Sequence, residues 1–237
     1  AMDAIVNQAA KWSHMTGGQS HPSLTIRGII NRGGEQGAQH SQSLHSWFSH
    51  IPGLRVLMPA TVADARDMLV SSVLCKDPVI FIDDRWLYDE IDELGPIVEK
   101  DINEFKPKVL RSGTDLTIAG SSFSTKLALD VADRLYEDGI EAEVIDIRSL
   151  NPFDPENLIN STQKTGRLVA IDGSWKNSGF SAEIITSVYE NIPSENFLSK
   201  PLRITLADCA APTSKVLEDI YYPSVESTLK QIKKVFD

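Results

Sequence analysis

Apolar residues at the start of the chain recur three or four positions apart, the spacing of one face of a helix. This apolar stripe consists of Met2, Ile5, Val6, Ala9 and Trp12. A helix is therefore predicted over residues 2–15, ending at the two glycines that follow Thr16. Because no capping residue or turn precedes the stripe, two interpretations stay open: an ordinary N-terminal helix, or a chain that begins inside a longer domain.

Beyond this helix, short apolar runs alternate with helical patterns. The runs at 23–27, 54–59 and 78–82 are typical of strands, and the patterns at 41–50 and 62–74 are typical of helices. Strands that alternate with helices favour a parallel sheet with crossover helices.

A second half follows an acidic stretch. Residues 83–96 hold six acidic residues and one arginine, and residues 91–114 are predicted to form a linker. After it, four strand-like runs and four helical patterns alternate. The predicted fold class is α/β, with two domains dominated by parallel sheets at residues 1–90 and 115–237.

Composition places the chain among folded globular proteins. Of its 237 residues 41% are hydrophobic and 24% are charged, and the formal net charge is −10. The sequence holds no cluster of lysine and arginine that could follow a phosphate backbone, and no apolar run of about 18 residues. We therefore expect neither a nucleic-acid nor a membrane partner. The two cysteines lie far apart, which favours a reducing compartment.

All five histidines fall within the first fifty residues, which raises the question of a metal site. They are His14, His21, His40, His45 and His50. The last three are five residues apart, so on a helix each would be turned by about 140° from the one before. They cannot converge on one ion, and no carboxylate at ligand spacing completes a set. A transition-metal site is therefore not expected.

A glycine-rich stretch over 28–40 carries the strongest candidate chemistry that pattern alone provides. It follows a predicted strand and precedes a predicted helix, a place where open α/β sheets bind ligands. His40 lies where this stretch meets the helix, and an imidazole there is suited to donate a proton. The alternative is that His40 only braces the loop through a backbone carbonyl. The residues themselves leave both interpretations open.

Several runs of residues resemble one enzyme family. QHSQS (39–43), HIPGL (50–54), EVIDIRSLNPFD (143–154) and KTGRLVAID (164–172) are similar to the β subunits of thiamine-diphosphate-dependent 2-oxo acid dehydrogenases. These subunits belong to the first components of the pyruvate, branched-chain and acetoin dehydrogenases and have a transketolase-like fold. The resemblance covers essentially the whole chain. Residues 1–11 resemble the interior of the family's first domain, which implies that an N-terminal part of that domain is missing.

The resemblance implies a truncated thiamine-binding pyrimidine domain followed by a transketolase C-terminal domain. The family's glutamate and aromatic residue for the cofactor's aminopyrimidine match no position here, so no cofactor-binding residue is carried over. His40 corresponds to the family's active-site histidine. The resemblance also implies a structural potassium ion held by backbone carbonyls. The matching positions are Leu24, Ser72, Val73, Cys75 and Asp77.

By the same resemblance, the chain is expected to be part of an oxidoreductase that decarboxylates a 2-oxo acid and passes the acyl group to a lipoyl carrier. Thiamine diphosphate and Mg²⁺ would be shared with an α subunit in an α2β2 heterotetramer, and a lipoyl acyltransferase core would accept the product. The chain alone is expected to be inactive, and it could form a homodimer. Its expected location is the bacterial cytoplasm or the mitochondrial matrix.

Two alternatives remain open at this stage. One is the C-terminal half of a transketolase or deoxyxylulose-phosphate synthase, which shares both folds; the other is a cofactor-free module that binds partners. QHSQS followed by HIPGL favours the dehydrogenase. The preferred oxo acid stays open, because the loop 28–40 and the segment 208–223 depart from the family's usual sequence.

Overall fold

In the computed structural model, two sheets dominated by parallel strands organise the chain, whose described residues are 1–34 and 36–236. Glu35, inside the glycine-rich stretch, and Asp237 lie outside the described residues. The prediction of an α/β fold with two such sheets is confirmed.

The helices flank these sheets. A π-helical segment, Ala4–Ala9, leads directly into the first α-helix, so the predicted N-terminal helix is confirmed. Among the described residues no helix is both long and apolar enough to cross a membrane. The α-helices are α1 (Ala10–Met15), α2 (Gly37–His40), α3 (His45–Ser49), α4 (Val62–Leu74), α5 (Phe123–Glu137), α6 (Glu156–Thr165), α7 (Phe180–Tyr189), α8 (Lys215–Tyr221) and α9 (Val225–Lys233).

The strands pair in sequence-distant order. They are β1 (Thr25–Ile30), β2 (Arg55–Leu57), β3 (Val79–Asp84), β4 (Lys108–Arg111), β5 (Leu116–Gly120), β6 (Ala142–Asp146), β7 (Ser149–Asn151), β8 (Leu168–Trp175) and β9 (Leu202–Leu206). The first sheet runs β1, β3, β2, β7, so β1 lies at its edge. The second runs β4, β6, β5, β8, β9. Only β7 on β2 and β4 on β6 are antiparallel among the described pairs.

Some elements differ from the sequence prediction. β4 lies within 91–114, the stretch predicted to be a linker. The strand was not predicted because its partly exposed residues form no clear apolar pattern. β7 has three residues, too few for an alternation to register. The helix predicted over 41–50 is shortened to α3, and the residues before it are held by long-range and side-chain bonds instead, from Ser41 Oγ to the Asn31 carbonyl and between Ser43 and His45. The limits of the two domains stay predictions.

One hydrophobic core joins the two sheets. Ile30 and Ile80 of the first sheet are buried in the same cluster as Ala119 and Ile145 of the second. β7 adds to this connection, because it follows β6 in the chain but pairs with β2 of the first sheet. The two halves therefore bury their apolar faces against each other.

Charged side chains are also buried between the halves. Arg148 Nε lies 3.4 Å from Asp64 Oδ2, and the Arg148 guanidinium lies 5.1 Å from the ring centre of Phe105. Asp146 is completely buried and accepts a hydrogen bond from Thr125 Oγ1 at 2.9 Å. Burial raises the pKa of Asp146 to about 7; the charge of Asp64 adds to this increase, while Thr125 and Arg148 oppose it.

Asp146→Asn is expected to remove a pH dependence of stability. The folded pKa of about 7 lies above the ordinary value of 3.8, so folding takes up a proton between these values. Stability is therefore lost as the pH rises from about 4 to about 7. At about pH 8 the variant should have the larger free energy of unfolding, whereas at about pH 4 the two proteins should be similar. Urea unfolding measures both; a difference that is the same at the two pH values would contradict the assignment.

Candidate active site

A cleft of about 600 Å³ opens where β1 and β3 end. Parallel strands place their carboxyl ends at one edge of a sheet, and the segments that follow these two strands both reach the cleft. The lining residues are Ile29, Asn31, Gln39, His40, Gln42, Leu44, Arg85 and Tyr88. The cleft therefore brings together the glycine-rich stretch, part of the motif QHSQS and the beginning of the acidic stretch.

His40 is fixed through its backbone and free at its side chain. Its carbonyl oxygen accepts a hydrogen bond from the Asn31 amide at 3.2 Å. The next residue, Ser41, donates from Oγ to the Asn31 carbonyl at 3.1 Å. The imidazole of His40 is exposed and has no hydrogen-bond partner among the described residues. Ser41 and the main chain brace the loop, and the imidazole is accessible to a ligand.

Two glycines allow the loop to lie close to the rest of the chain. Gly33 has a φ of +72°, and a Cβ there would lie 2.3 Å from Trp86 Nε1. Gly37 has a φ of +69°, and a Cβ there would lie 2.8 Å from Thr213 Oγ1. Both positions favour glycine for backbone conformation, and Gly33 also for space against the Trp86 ring.

Arg85 is the cationic side chain of the cleft lining. Its Nη1 donates to Asn31 Oδ1 at 2.7 Å, and Asn31 Nδ2 donates to Gln36 Oε1 at 2.9 Å. Arg85 is exposed, and no described carboxylate pairs with it. No pattern in the sequence singles out this residue, although it is the single basic residue within the acidic stretch 83–96.

Tyr88 borders the cleft as a neutral hydrogen-bonding group. Its hydroxyl donates to Asp83 Oδ2 at 2.9 Å, and Arg27 Nη2 donates to the same oxygen at 2.5 Å. Burial and the interaction with Asp83 raise the pKa of Tyr88. The phenol therefore keeps its proton at neutral pH.

Beneath the loop, Arg32 is buried at the junction of the two sheets. Its Nε lies 2.9 Å from Asp84 Oδ2. Three aromatic rings surround the guanidinium, with centres 5.6 Å away at Trp86, 5.9 Å at Phe123 and 5.8 Å at Tyr222. Because Phe123 and Tyr222 belong to the second half, Arg32 attaches the base of the loop to both halves.

The five positions matched to a potassium site lie on two segments, one leading into β1 and the other at and after the end of α4, and two hydrogen bonds join these segments. They are Leu24, Ser72, Val73, Cys75 and Asp77. Thr25 Oγ1 donates to the Ser72 carbonyl at 2.9 Å, and Ser23 Oγ donates to the Cys75 carbonyl at 2.6 Å. A carbonyl oxygen has two lone pairs, so these hydroxyls occupy part of its capacity for a cation.

The histidines lie in different surroundings. His40 lines the cleft, whereas His45 is buried and His50 borders two other cavities. Within the described part of the chain, no group of three or more histidine, cysteine, aspartate and glutamate side chains could hold a metal ion.

Both halves of the chain match family models. Residues 1–90 match the pyrimidine binding domain of transketolase, and residues 106–227 match the transketolase C-terminal domain. A solved structure described as a split gene transketolase, an inactive β4 tetramer, superposes with a TM-score of 0.72 at 21% identity. The superposition covers 98% of this chain and 72% of the chain in the solved structure. At this identity the similarity concerns the fold.

Several curated relatives are β subunits of the pyruvate dehydrogenase E1 component. The mitochondrial subunit of Saccharomyces cerevisiae is 34% identical over 239 residues, covering 99% of this chain and 65% of the relative. The Rickettsia bellii subunit is 37% identical over 236 residues, covering 99% of this chain and 72% of the relative. The mitochondrial subunit of Bos taurus is 35% identical over 243 residues, covering 100% of this chain and 67% of the relative. The chain thus spans about two thirds of the length of these relatives.

His40→Ala is expected to leave the folded state nearly unchanged, because the imidazole is exposed and has no described partner. The free energy of unfolding should change by less than about 0.5 kcal/mol. Ser41→Ala is the control, since it removes a hydrogen bond that braces the loop and should cost about 1 kcal/mol. Urea unfolding measures both variants. A loss above about 1.5 kcal/mol in His40→Ala would mean that the imidazole is a structural brace.

Proposed function

The chain belongs to the transketolase-related family of pyruvate dehydrogenase E1 β subunits, and from this membership we propose that it forms part of the catalytic unit of a 2-oxo acid dehydrogenase. The proposed reaction is the decarboxylation of a 2-oxo acid followed by transfer of the acyl group to a lipoyl carrier. The observation that carries the proposal is the accessible imidazole of His40, in the motif QHSQS, at the carboxyl ends of parallel strands.

The cleft residues fit one side of a cofactor site. Thiamine diphosphate, when bound, supplies the electron sink that allows a 2-oxo acid to lose CO2. The amide side chains of Asn31, Gln39 and Gln42 and the imidazole of His40 offer polar contacts to such a group and to the substrate. Because the described lining of this cleft contains no carboxylate for Mg²⁺, we propose that the diphosphate and its Mg²⁺ bind on an α subunit facing the cleft.

His40 is proposed to carry a proton to the lipoyl carrier. An imidazole changes its protonation near neutral pH, so it can hold a proton and deliver it to a sulfur atom as the lipoyl disulfide opens. The hydrogen bonds of Asn31 and Ser41 fix the main chain around His40 independently of the ligand. The main chain that carries the donor is therefore already in place when the carrier arrives.

Arg85 is proposed to attract the carboxylate of the 2-oxo acid. Its guanidinium is held at the cleft by the side chain of Asn31 and has no described carboxylate partner. The chain as a whole has a net charge of −10, which repels an anionic substrate. A cation at the cleft makes this place attractive to such a substrate.

The assembly is proposed to be an α2β2 heterotetramer that delivers its product to a lipoyl acyltransferase core. Its compartment is proposed to be the bacterial cytoplasm or the mitochondrial matrix. Activity with an aldose phosphate in place of a lipoyl carrier would instead support a transketolase. A lack of thiamine diphosphate binding in the presence of the α subunit would support a cofactor-free binding module.

In the complete enzyme, assembled with its α subunit, thiamine diphosphate and Mg²⁺, His40→Ala should slow acyl transfer to the lipoyl carrier by about 100- to 10,000-fold. Release of CO2 with ferricyanide as the oxidant should fall much less, because that route needs no proton for a sulfur atom. His50→Ala is the control, since this histidine is exposed and lies outside the lining of the cleft. An equal loss in both assays, or no loss in either, would sink the proposed role.

We also propose that K⁺ binds the backbone carbonyls of Leu24, Ser72, Val73, Cys75 and Asp77. Binding at about 100 times the dissociation constant would add about 2.7 kcal/mol to the free energy of unfolding. Thermal unfolding in potassium chloride and in choline chloride at equal ionic strength measures this gain. Equal midpoints in the two salts would mean that the hydroxyls of Ser23 and Thr25 have taken the place of the cation.

A further inference from the structure

A buried chain of three polar side chains joins the two halves near the His40 loop. Ser43 Oγ lies 2.7 Å from His45 Nδ1, and His45 Nε2 lies 3.2 Å from Asp172 Oδ1. Ser43 and His45 belong to the first half, and Asp172 belongs to β8 of the second. Their exposures are only 4%, 1% and 5%. A substrate therefore has no access to these groups, which sets them apart from the similar triad of hydrolases.

Asp172 is held as a carboxylate by hydrogen-bond donors on both oxygens. Besides His45, Oδ1 accepts from the Ser174 amide at 3.0 Å and from Ser174 Oγ at 2.8 Å. Oδ2 accepts from the Ser181 amide at 2.9 Å, in the first turn of α7. Burial would raise the pKa of Asp172, but the charge and hydrogen bond of His45, with the Ser181 and Ser174 donors, lower it to about 2. An amide could not accept all of these bonds, because its nitrogen is a donor.

The same loop carries His40. Ser41 is attached to the end of β1 through the Asn31 carbonyl, and His45 is attached to β8 through Asp172. Ser43, between them, is attached to His45. Alternate side chains from 41 to 45 are therefore bound, and the main chain that follows His40 is fixed at both ends.

We propose that His45 and Asp172 are positioning residues, through which the second half of the molecule holds the His40 loop in its working geometry. The effect on catalysis rests on the proposed function of His40, whereas the effect on loop order does not. Neither residue touches the cleft, so both act through the main chain of residues 40–45. A displacement of about 1 Å in a reacting group can cost about 100-fold in rate, so a loosened loop should slow the reaction markedly.

Substitutions at His45, with a control at Asp64 and a reserve variant at Asp172, test the proposal. His45→Leu removes the bonds to Ser43 and Asp172, while His45→Gln keeps an amide that can donate to Asp172. Asp64→Asn is the matched control, because it disrupts another buried ion pair between the halves, with Arg148. Asp64 has no described hydrogen bond or ion pair with residues 40–45. Should His45→Leu fail to fold, Asp172→Asn disrupts the same chain with His45 in place.

Hydrogen exchange, NMR and kinetics provide the readouts. In His45→Leu, amide exchange over residues 40–46 should rise by about tenfold or more, and in Asp64→Asn it should not. The ring signals of His40, identified by their loss in His40→Ala, should shift or broaden in His45→Leu alone. In the complete enzyme kcat should fall by about 10- to 100-fold with KM nearly unchanged, and His45→Gln should recover most of it.

The outcomes separate the two proposals. Equal exchange over 40–46 in His45→Leu and Asp64→Asn would overturn the positioning role and leave His45 and Asp172 as ordinary interface residues. Faster exchange in His45→Leu, together with an unimpaired His40→Ala enzyme, would support the attachment of the loop but overturn the proposed function of His40. Faster exchange, altered His40 signals and lower kcat together would support both.

Discussion

A buried guanidinium is the constraint on which the arrangement of the two halves depends. The guanidinium of Arg32 can be buried because it pairs with the carboxylate of Asp84 and because aromatic rings of both halves surround it. Even a methyl group at Gly173 of the second half would come within 2.6 Å of its Nη2. Loss of one partner of such a pair costs about 3–5 kcal/mol, because the other charge stays buried. Arg32 lies two residues beyond the end of β1, so this contact fixes the base of the loop that follows the strand.

Two aspartates buried between the halves have pKa values shifted in opposite directions. Asp172 has amide donors and a histidine, and its pKa falls to about 2. Asp146 accepts a hydrogen bond from a hydroxyl group and is repelled by the negative charge of Asp64, and its pKa rises to about 7. Burial acts in the same direction on both, so the number and charge of the neighbouring groups decide the result. The interface thus carries a permanent charge at one place and a proton-dependent charge at another.

How far the sequence specifies these features depends on the range of the interactions. Helix α4 could be predicted with its observed bounds, because its apolar period and the Thr61 cap are local signals. His40 could be predicted as a candidate because the motif QHSQS surrounds it. The attachment of His45 to Asp172 could not, since it joins residues far apart in the chain that no local pattern relates. Arg85 was hidden for a similar reason: its place in the cleft depends on β1 and β3 being neighbours.

The position of β1 at the edge of the first sheet affects how the chain behaves in solution. Within the described residues β1 pairs with β3 on one side, so the amides and carbonyls on its other side lack a strand partner. Leu24, just before the strand, is 43% exposed, and Ile29, near its end, is 48% exposed. Natural proteins usually protect such a strand, because it readily accepts another strand and so promotes aggregation. The solubility of this chain in isolation therefore depends on whether β1 is covered, as well as on the net charge of the chain.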